Sequence, residues 1–403
     1  MQALNEKCAG LPAVRNDFPF FRNNQRIYLD SSSTALKPQS VINAITDFYI
    51  QAGSNVGRSN HQYAQLATQL FESSRNKLAC FLGCSADEVI FTANCTDSIN
   101  LIAHGLALGK GDHVVVSPLE HHSNLLPWLS RCRVSVARLD QNGCIDLDYL
   151  DSLLASDPAR LVAVCHASNV TGNVQPVRQI CEIAKARGAL SLLDAAQTVG
   201  HIPVTVDQIG CDFLALSGHK MFGPSGIGAL YMRRDLQASM QSYRYGGGMV
   251  NKVQHGDISY QSGPGRFEAG TPNIEGAIGL GAAVDYINGL GGQWGQDHDR
   301  DLESYFRSQI QLVRNVEIAF PVASHHLPIF PLVPVGKVDI GFVSRILSDR
   351  YDIALSSGYQ CNQPLYRNNG IKGALRVSMH FYNTREDIDT LMMALTDLQD
   401  LLA

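Results

Sequence analysis

The sequence predicts an α/β protein with a large domain built on a mostly parallel sheet, followed by a smaller α+β domain. Three observations support this class. Short apolar runs alternate with longer segments of helical spacing, each apolar run leads into polar residues, and the pattern changes after residue 220. Repeated strand–helix–strand units place helices on both faces of a parallel sheet.

Five apolar runs are predicted to be buried strands: 88–94, 112–118, 160–169, 189–197 and 212–220. Between two of them, VRQICEIAKARG (177–188) has helical apolar spacing and ends in glycine. Ligands of such sheets bind beyond the carboxyl ends of the strands. The polar residues expected at those ends are Thr96, His121, Asn169, Asp194, Gln197, Ser217, His219 and Lys220.

The second half of the chain has a different composition and residue pattern. Residues 241–275 are rich in glycine and polar residues, which predicts a long functional loop. GAIGLGAAVDYINGLG (276–291) predicts a helix with a glycine stop, and DIDTLMMALTDLQDLL (387–402) predicts a closing amphipathic helix. We expect the large domain to span 26–284 and the small domain to combine 1–25 with 285–403.

Composition narrows the class of function. A 403-residue chain with 45% hydrophobic and 17% charged residues can bury a sizeable core. Its net charge of −5, without dense Lys/Arg stretches, argues against nucleic acid or membranes as partners. Neither a signal sequence nor a long apolar span is expected. The ten scattered cysteines favour a reducing, cytoplasmic setting and do not have the spacing of a metal site.

Lys220 is the residue that most needs an explanation. It follows an apolar strand, so burial should lower the pKa of its amine, which suits Schiff-base chemistry. A pyridoxal phosphate (PLP) enzyme needs such an amine, a carboxylate against the pyridine nitrogen, a phosphate cradle and a ring-stacking group. Asp194, at the end of LSLLD, is the candidate carboxylate.

Candidates exist for the other two requirements. Thr96, Ser217 and His219 can donate to a phosphate, and the TDSIN stretch predicts a helix start that favours an anion. His121 in LEHHSN is suited to stacking on a ring. Helix caps, a turn hydroxyl and a solvated loop are the ordinary alternatives. GPSGIG does not have dinucleotide-fingerprint spacing, and neither a P-loop nor an H-E-x-x-H motif is present, so a cofactor anchor explains Lys220 best.

Eight motifs in order carry a family resemblance: YLDSSSTALKP, EHHSNLLPW, SNVTG, DAAQ, SGHK, RFEAGTPN, QCNQPL and LRVSMHFYNT. Over nearly the whole chain the sequence resembles the class V aminotransferase family, and within it the group II cysteine desulfurases, the selenocysteine lyase-like branch. The resemblance implies a fold-type I, PLP-dependent homodimer with a seven-stranded sheet. It also implies conversion of L-cysteine to L-alanine, with the sulfur held as a persulfide for an acceptor protein, and selenocysteine as a second substrate.

The resemblance also implies a role for each matching residue. Lys220 would bind the cofactor covalently and move the Cα proton, Asp194 would pair with the pyridine nitrogen, and His121 would stack on the ring. The remaining implied contacts are Asn169 and Gln197 to the ring hydroxyl, Thr96, Ser217, His219 and the partner subunit's Thr271 to the phosphate, Arg376 to the substrate carboxylate, and Asn55 and Arg58 in the substrate loop. A planar guanidinium suits a carboxylate clamp.

Cys361 decides the reaction type. It lies in the polar loop SSGYQCNQPLY, so its thiol should be accessible and could attack the substrate sulfur once activated. Several positions depart from the family pattern. Gly57 stands for a histidine, Cys95 for a hydroxyl donor, Ser356 for an arginine and Gln360 for a histidine, and the last two changes remove basic groups that would assist the thiolate. A C–S lyase, an epimerase, a transaminase or a non-catalytic scaffold therefore remain alternatives.

Overall fold

The structure, a computed structural model, describes residues 11–22, 26–57, 59–254 and 257–403. The strands within these ranges are β1 (Ile27–Tyr28), β2 (Val89–Thr92), β3 (His113–Val116), β4 (Arg133–Val136), β5 (Leu161–Cys165), β6 (Leu190–Asp194), β7 (Phe213–Ser217), β8 (Gly228–Met232), β9 (Val250–Gln254), β10 (Asp257–Tyr260), β11 (Val316–Ile318), β12 (Ile329–Pro334), β13 (Ile353–Ala354), β14 (Ser356–Gly358) and β15 (Ala374–Ser378).

The α-helices alternate with these strands in the first half of the chain. They are Leu11–Asn16, Gln39–Gln51, Gln62–Leu82, Cys95–Gly105, Leu126–Leu129, Leu147–Ser156, Val177–Ala186, Val206–Ile209, Arg234–Gln237, Ile274–Leu290, Gly292–Ile310, Ile340–Tyr351, Gln363–Asn368, Arg385–Asp397 and Gln399–Leu402. Within the described ranges, none of these helices is both long enough and apolar enough to cross a membrane.

The central sheet has seven strands in the order β2-β8-β7-β6-β5-β3-β4. All neighbours pair in parallel except β8, which runs antiparallel to β2 and β7. Strands β3, β5, β7 and β8 are buried at every position, because helices pack on both faces of the sheet. The predicted fold class is confirmed.

The register of the central strands brings their polar ends together. Cys165 at the end of β5 pairs with Asp194 at the end of β6, and Asp194 pairs with Ala215 near the end of β7. Because these strands are parallel, the residues that follow each of them meet at one edge of the sheet. The site described below is built on that edge.

A second, antiparallel sheet has the order β11-β12-β15-β14. Its core includes Phe306 and Phe330, whose rings stack with centroids 4.2 Å apart. The first strand, β1, pairs in parallel with β13, so segments from the two halves of the chain pair with each other. The predicted boundary between residues 284 and 285 falls inside the helix Ile274–Leu290, and the division into two domains stays a prediction.

Two local predictions differ from the structure. The segment 241–275 is not only a loop, because β9 and β10 pair within it as an antiparallel hairpin. These strands are largely exposed, so they lack the apolar alternation that reveals a half-buried strand. The closing helix begins at Arg385 behind a Thr384 capping box and is divided at Leu398, before Gln399–Leu402.

Candidate active site

A cavity of about 460 Å³ lies at the carboxyl edge of the central sheet. Ten of the predicted site residues line it together: Thr96, His121, Asn169, Asp194, Gln197, Ser217, His219, Lys220, Cys361 and Arg376. Two of the remaining three do not. The side chains of Asn55 and Thr271 lie 3.5 Å apart on the surface, outside this cavity, and Arg58 lies outside the described residues. The individual roles of all thirteen stay predictions.

Lys220 closes a helical turn, Gly218–Lys220, that follows β7 directly. The turn requires glycine at its first position, because a Cβ on Gly218 would lie 2.9 Å from Cγ2 of Ile227. Burial lowers the pKa of the Lys220 amine, and the nearby Asp194 carboxylate opposes the shift only in part. Within the described ranges Nζ makes no hydrogen bond. A buried amine of this kind is available as a nucleophile.

Asp194 faces the cavity with one carboxylate oxygen already occupied. Its Oδ1 accepts hydrogen bonds from Sγ of Cys95 at 3.2 Å and from the Ala196 amide at 3.0 Å. Burial, and then Asp194 itself, raises the pKa of the Cys95 thiol, so the thiol stays protonated and acts as the donor. Both hydrogen bonds recorded for the carboxylate in the described part of the chain reach Oδ1, which leaves Oδ2 for a ligand.

The helix Cys95–Gly105 points its N-terminus at the same cavity. The Cys95 amide donates to Oγ of Ser217 at 2.9 Å, and the Asp97 amide to the Asn94 side chain at 2.9 Å. Across the described residues the Thr96 amide between them has no hydrogen-bond acceptor. An unpaired amide at a helix start is a ready anion contact. Burial lowers the pKa of His219, beside this end, to about 4.

His121 presents a neutral imidazole to the cavity. Its Nδ1 accepts from the Ser123 amide at 3.1 Å, which places the ring proton on Nε2. Burial, followed by the nearby Lys220 charge, lowers its pKa to about 4. The Ser123 hydroxyl also contacts Nδ1 at 2.9 Å and Oγ1 of Thr96 at 2.7 Å. Sequence reasoning missed this bridge, although Ser123 lies within the quoted motif EHHSNLLPW.

Arg376 on β15 is held deep in the cavity wall. Its Nη1 donates to the Asn169 carbonyl at 3.1 Å, and its Nη2 to Oδ1 of Asp30 at 3.1 Å and to Oγ of Ser33 at 2.5 Å. Nε is buried and has no partner in the described structure. Asp30 and Ser33 are in the motif YLDSSSTALKP, but the sequence alone assigned them no role.

Cys361 lies at the rim, in a turn that follows β14, and its side chain is exposed. Two main-chain contacts fix this turn to loops of the central sheet. Nδ2 of Asn169 donates to the Gln360 carbonyl at 2.7 Å, and the His122 amide donates to the Cys361 carbonyl at 2.9 Å. The four-stranded sheet therefore supplies a thiol to a cavity built mainly by the seven-stranded one.

Within the described ranges, no group of three or more His, Cys, Asp or Glu side chains is arranged to hold an ion. The cavity instead combines a buried amine, a facing carboxylate with a free oxygen, a helix N-terminus and a guanidinium. On a doubly wound sheet, these groups define the class of fold-type I transferases.

Comparison with known proteins identifies the family. The aminotransferase class-V family matches residues 27–391, and the chain belongs to it. The probable cysteine desulfurase of Halalkalibacterium halodurans is 38% identical, with 92% of each chain covered. The cysteine desulfurase of Pectobacterium atrosepticum is 38% identical over 96% of this chain and 98% of that one.

Solved structures agree with this assignment. The apo structure of the cysteine desulfurase from Thermococcus onnurineus has a TM-score of 0.90 and 34% identity, covering 96% of this chain and 98% of that one. The cysteine desulfurase CsdA of Escherichia coli has a TM-score of 0.88 and 33% identity, covering 97% and 99%. The predicted family and its closeness to cysteine desulfurases are confirmed.

Proposed function

We propose that the protein is a PLP-dependent cysteine desulfurase that converts L-cysteine to L-alanine and keeps the sulfur as a persulfide on Cys361. The observation that carries the proposal is one cavity that joins the Lys220 amine, the Asp194 carboxylate and the Cys361 thiol. The relatives named as cysteine desulfurases match nearly the full chain and support the same activity.

The chain's own residues fit the cofactor. Oδ2 of Asp194 is left for a protonated ring nitrogen, since Oδ1 already holds two donors. The Thr96 amide, with Ser217 and His219 beside it, forms an anion site of the kind that a phosphate requires. The Nζ atom of Lys220 is buried and its pKa is lowered, as attachment to an aldehyde requires.

When bound, PLP supplies the aldehyde and the electron-accepting ring of the reaction. Lys220 would hold the aldehyde carbon and then carry the proton of the substrate Cα. Asp194 would keep the ring nitrogen protonated, and the neutral His121 would stack on the ring without adding a positive charge. The Arg376 guanidinium, which lines the cavity, would bind the substrate carboxylate and so orient the Cα–H bond.

Cys361 would complete the reaction at the substrate sulfur. Its Sγ forms an S–S bond with that sulfur, the Cβ–S bond breaks, and its electron pair stays on carbon, which takes up a proton. Cysteine and the enzyme thiol thus become alanine and an enzyme persulfide without an external oxidant. An acceptor protein would then remove the sulfane sulfur, and selenocysteine would follow the same route.

One observation favours a second candidate, a C–S lyase of the same family. Ser356 and Gln360, which line the cavity next to Cys361, are uncharged, so neither supplies a positive charge to the thiolate. A lyase would release sulfide and pyruvate with no need for Cys361. An epimerase or a transaminase would leave the C–S bond intact, and a scaffold would turn over no amino acid.

Product analysis separates these candidates. We expect alanine in the presence of L-cysteine, and one added sulfur on Cys361 by mass spectrometry before any reductant is supplied. Cys361→Ser should abolish both while leaving cofactor absorbance unchanged. Alanine formation that persists in this variant would refute the persulfide route, and pyruvate would establish the lyase.

The assembly and location are part of the same proposal. We propose a cytoplasmic homodimer in which Thr271 reaches the phosphate site of the partner subunit, with Asn55 and Arg58 in the substrate loop. The exposure of Tyr49, Ile50 and Tyr63, which flank Asn55 in the sequence, supports a contact on this side. Sedimentation at micromolar concentration would test the dimer, and cell fractionation the compartment.

A further inference from the structure

We propose that Gln360 is a positioning residue, which together with Tyr366 forms a clamp that holds the Cys361 turn in its reactive conformation. The inference rests on the proposed function, because it concerns sulfur transfer to Cys361. It goes further by assigning a task to Gln360, the very residue whose lack of charge weakens the sequence argument for a desulfurase.

The backbone of this turn needs an external restraint. Gln360 and Cys361 have φ values of 43° and 57°, so two consecutive residues with side chains adopt the left-handed conformation. A Cβ atom disfavours this region, and single residues, not pairs, usually occupy it. The turn therefore keeps its shape only where surrounding contacts determine it.

The Gln360 side chain adds two contacts to those that Asn169 and His122 make with the turn. Its Nε2 donates to the Ala374 carbonyl at 3.1 Å, and its Oε1 accepts from the Tyr366 hydroxyl at 2.5 Å. The Ala374 contact ties the turn to the start of β15, the strand that carries Arg376. The amide of this side chain thus spans the space between the thiol turn and the strand of the guanidinium.

Tyr366 gives the clamp a rigid base. Its side chain is fully buried and packs in a cluster with Leu119, Cys165 and Val170, which lie at the carboxyl edge of the central sheet. Burial raises the pKa of its hydroxyl, so the hydroxyl stays protonated and donates to Gln360. Tyr366 therefore fixes the turn relative to the same edge of the sheet that positions Lys220 and Asp194.

The clamp has a consequence for sulfur transfer. Without it, the strained turn can relax to ordinary backbone conformations, and the Cβ–Sγ bond of Cys361 then points elsewhere. The thiol remains present and exposed, but it spends less time near the substrate sulfur. The loss should fall on formation of the persulfide and not on binding of cysteine.

The experiment uses the full-length, PLP-loaded protein and four variants. Gln360→Ala and Gln360→Gly both remove the clamp, but glycine tolerates the positive φ and alanine does not. Tyr366→Phe removes one hydrogen bond only. Gln363→Ala is the matched control, because Gln363 is exposed and lies only three residues farther along the chain.

Two readouts are measured: the single-turnover rate of sulfur transfer to Cys361, and amide hydrogen exchange without substrate. The Asn362 amide, which donates to the Tyr359 carbonyl at 2.8 Å, reports on the turn. We expect a transfer rate about 10-fold slower for both Gln360 variants, from lost positioning, and a smaller loss for Tyr366→Phe. Hydrogen exchange at Asn362 should accelerate more in the two Gln360 variants than in Tyr366→Phe. All variants should keep the spectral response to cysteine, and Gln363→Ala should match the unmodified protein in both readouts.

A normal transfer rate in Gln360→Gly would overturn the clamp, because backbone conformation alone would then suffice. Unchanged Asn362 exchange in Gln360→Ala and Tyr366→Phe would overturn it as well. The proposed function fails separately, if the unmodified protein places no sulfur on Cys361. The exchange measurement would still decide whether the side chain holds the turn.

Discussion

Sγ of Cys95 donates a hydrogen bond to Oδ1 of Asp194 over 3.2 Å, in the wall of the cavity. The carboxylate that is proposed to face the pyridine nitrogen therefore has a thiol as a hydrogen-bond donor. The sequence presents Cys95 as a departure from the phosphate-binding turn of the family. In the structure it acts on a different part of the site, since it orients Asp194 and leaves the anion contacts to its neighbours.

Replacing Cys95 should change cofactor affinity. Cys95→Ala leaves Oδ1 with the Ala196 amide as its only donor, and the loss of a weak hydrogen bond to a charged group costs about 1 kcal/mol. We expect PLP to bind about 5-fold more weakly, at that cost. Cys95→Ser keeps a donor and should bind PLP at least as well as the unmodified protein. Titration of the apo-protein by fluorescence quenching measures both, and equal affinities in all three would contradict the contact.

Lys220 should be the point of covalent attachment. After borohydride reduction of the PLP-loaded protein, we expect the cofactor mass on the peptide that contains Lys220, and none in Lys220→Ala. Lys37→Ala is the control, because Lys37 is another partly buried lysine whose pKa burial lowers to about 8. Cofactor fixed to Lys37, or to any lysine in Lys220→Ala, would refute the assignment.

Arg376→Lys should weaken substrate binding more than it alters folding. Lysine keeps a charge near Asp30 but has no planar fork, so the carboxylate contact proposed for the guanidinium is lost. We expect KM for cysteine to rise about 10-fold or more, the effect of losing a charge-assisted hydrogen bond. Arg345→Lys, at an exposed position, is the matched control. A KM within twofold of the unmodified protein would place the carboxylate elsewhere.

Acid should destabilise the fold through His166. Burial lowers the pKa of this histidine to about 4, so it stays neutral in the folded protein while the unfolded chain takes up a proton below its ordinary pKa of 6.5. The unfolding free energy therefore falls as pH drops from about 6.5 towards 4. Between pH 7 and pH 5 the His166 contribution is about 2 kcal/mol.

His166→Gln cannot titrate, so its loss of stability between pH 7 and pH 5 should be smaller by that amount. Urea unfolding at pH 7 and at pH 5 measures this loss of unfolding free energy. The packing cost of the substitution is the same at both pH values and cancels in the comparison. His325→Gln, at an exposed histidine, should behave like the unmodified protein. If the two variants lose stability equally between these pH values, His166 is not the acid-sensitive group.

The central sheet and most of the cavity were predictable from the sequence for a simple physical reason. Buried parallel strands are continuous apolar runs, and β5, β6 and β7 lie within the predicted runs at 160–169, 189–197 and 212–220. The polar residues that end each run must then lie together at the carboxyl edge of the sheet. Lys220 and Asp194 could therefore be brought together without coordinates.

Contacts between distant segments were not predictable in this way. Ser123 joins Thr96 to His121, and Ser33 supports Arg376, through side chains that any loop could contain. The Gln360–Tyr366 hydrogen bond is close in sequence, but it depends on a turn with positive φ at two residues other than glycine. Sequence propensity argues against such a turn, and only the packing around it makes the turn stable.

The pairing of β1 with β13, and of Asp30 with Arg376 across 346 positions, has a consequence for biosynthesis. On the ribosome, the half that is proposed to bind the cofactor is complete long before the guanidinium and the proposed nucleophilic thiol emerge from the exit tunnel. The first strand must wait for its partner until residues 353 and 354 have been translated. A truncated nascent polypeptide can therefore contain Lys220 and Asp194 while it still lacks Arg376 and Cys361, the residues that are proposed to bind the amino acid and to accept its sulfur.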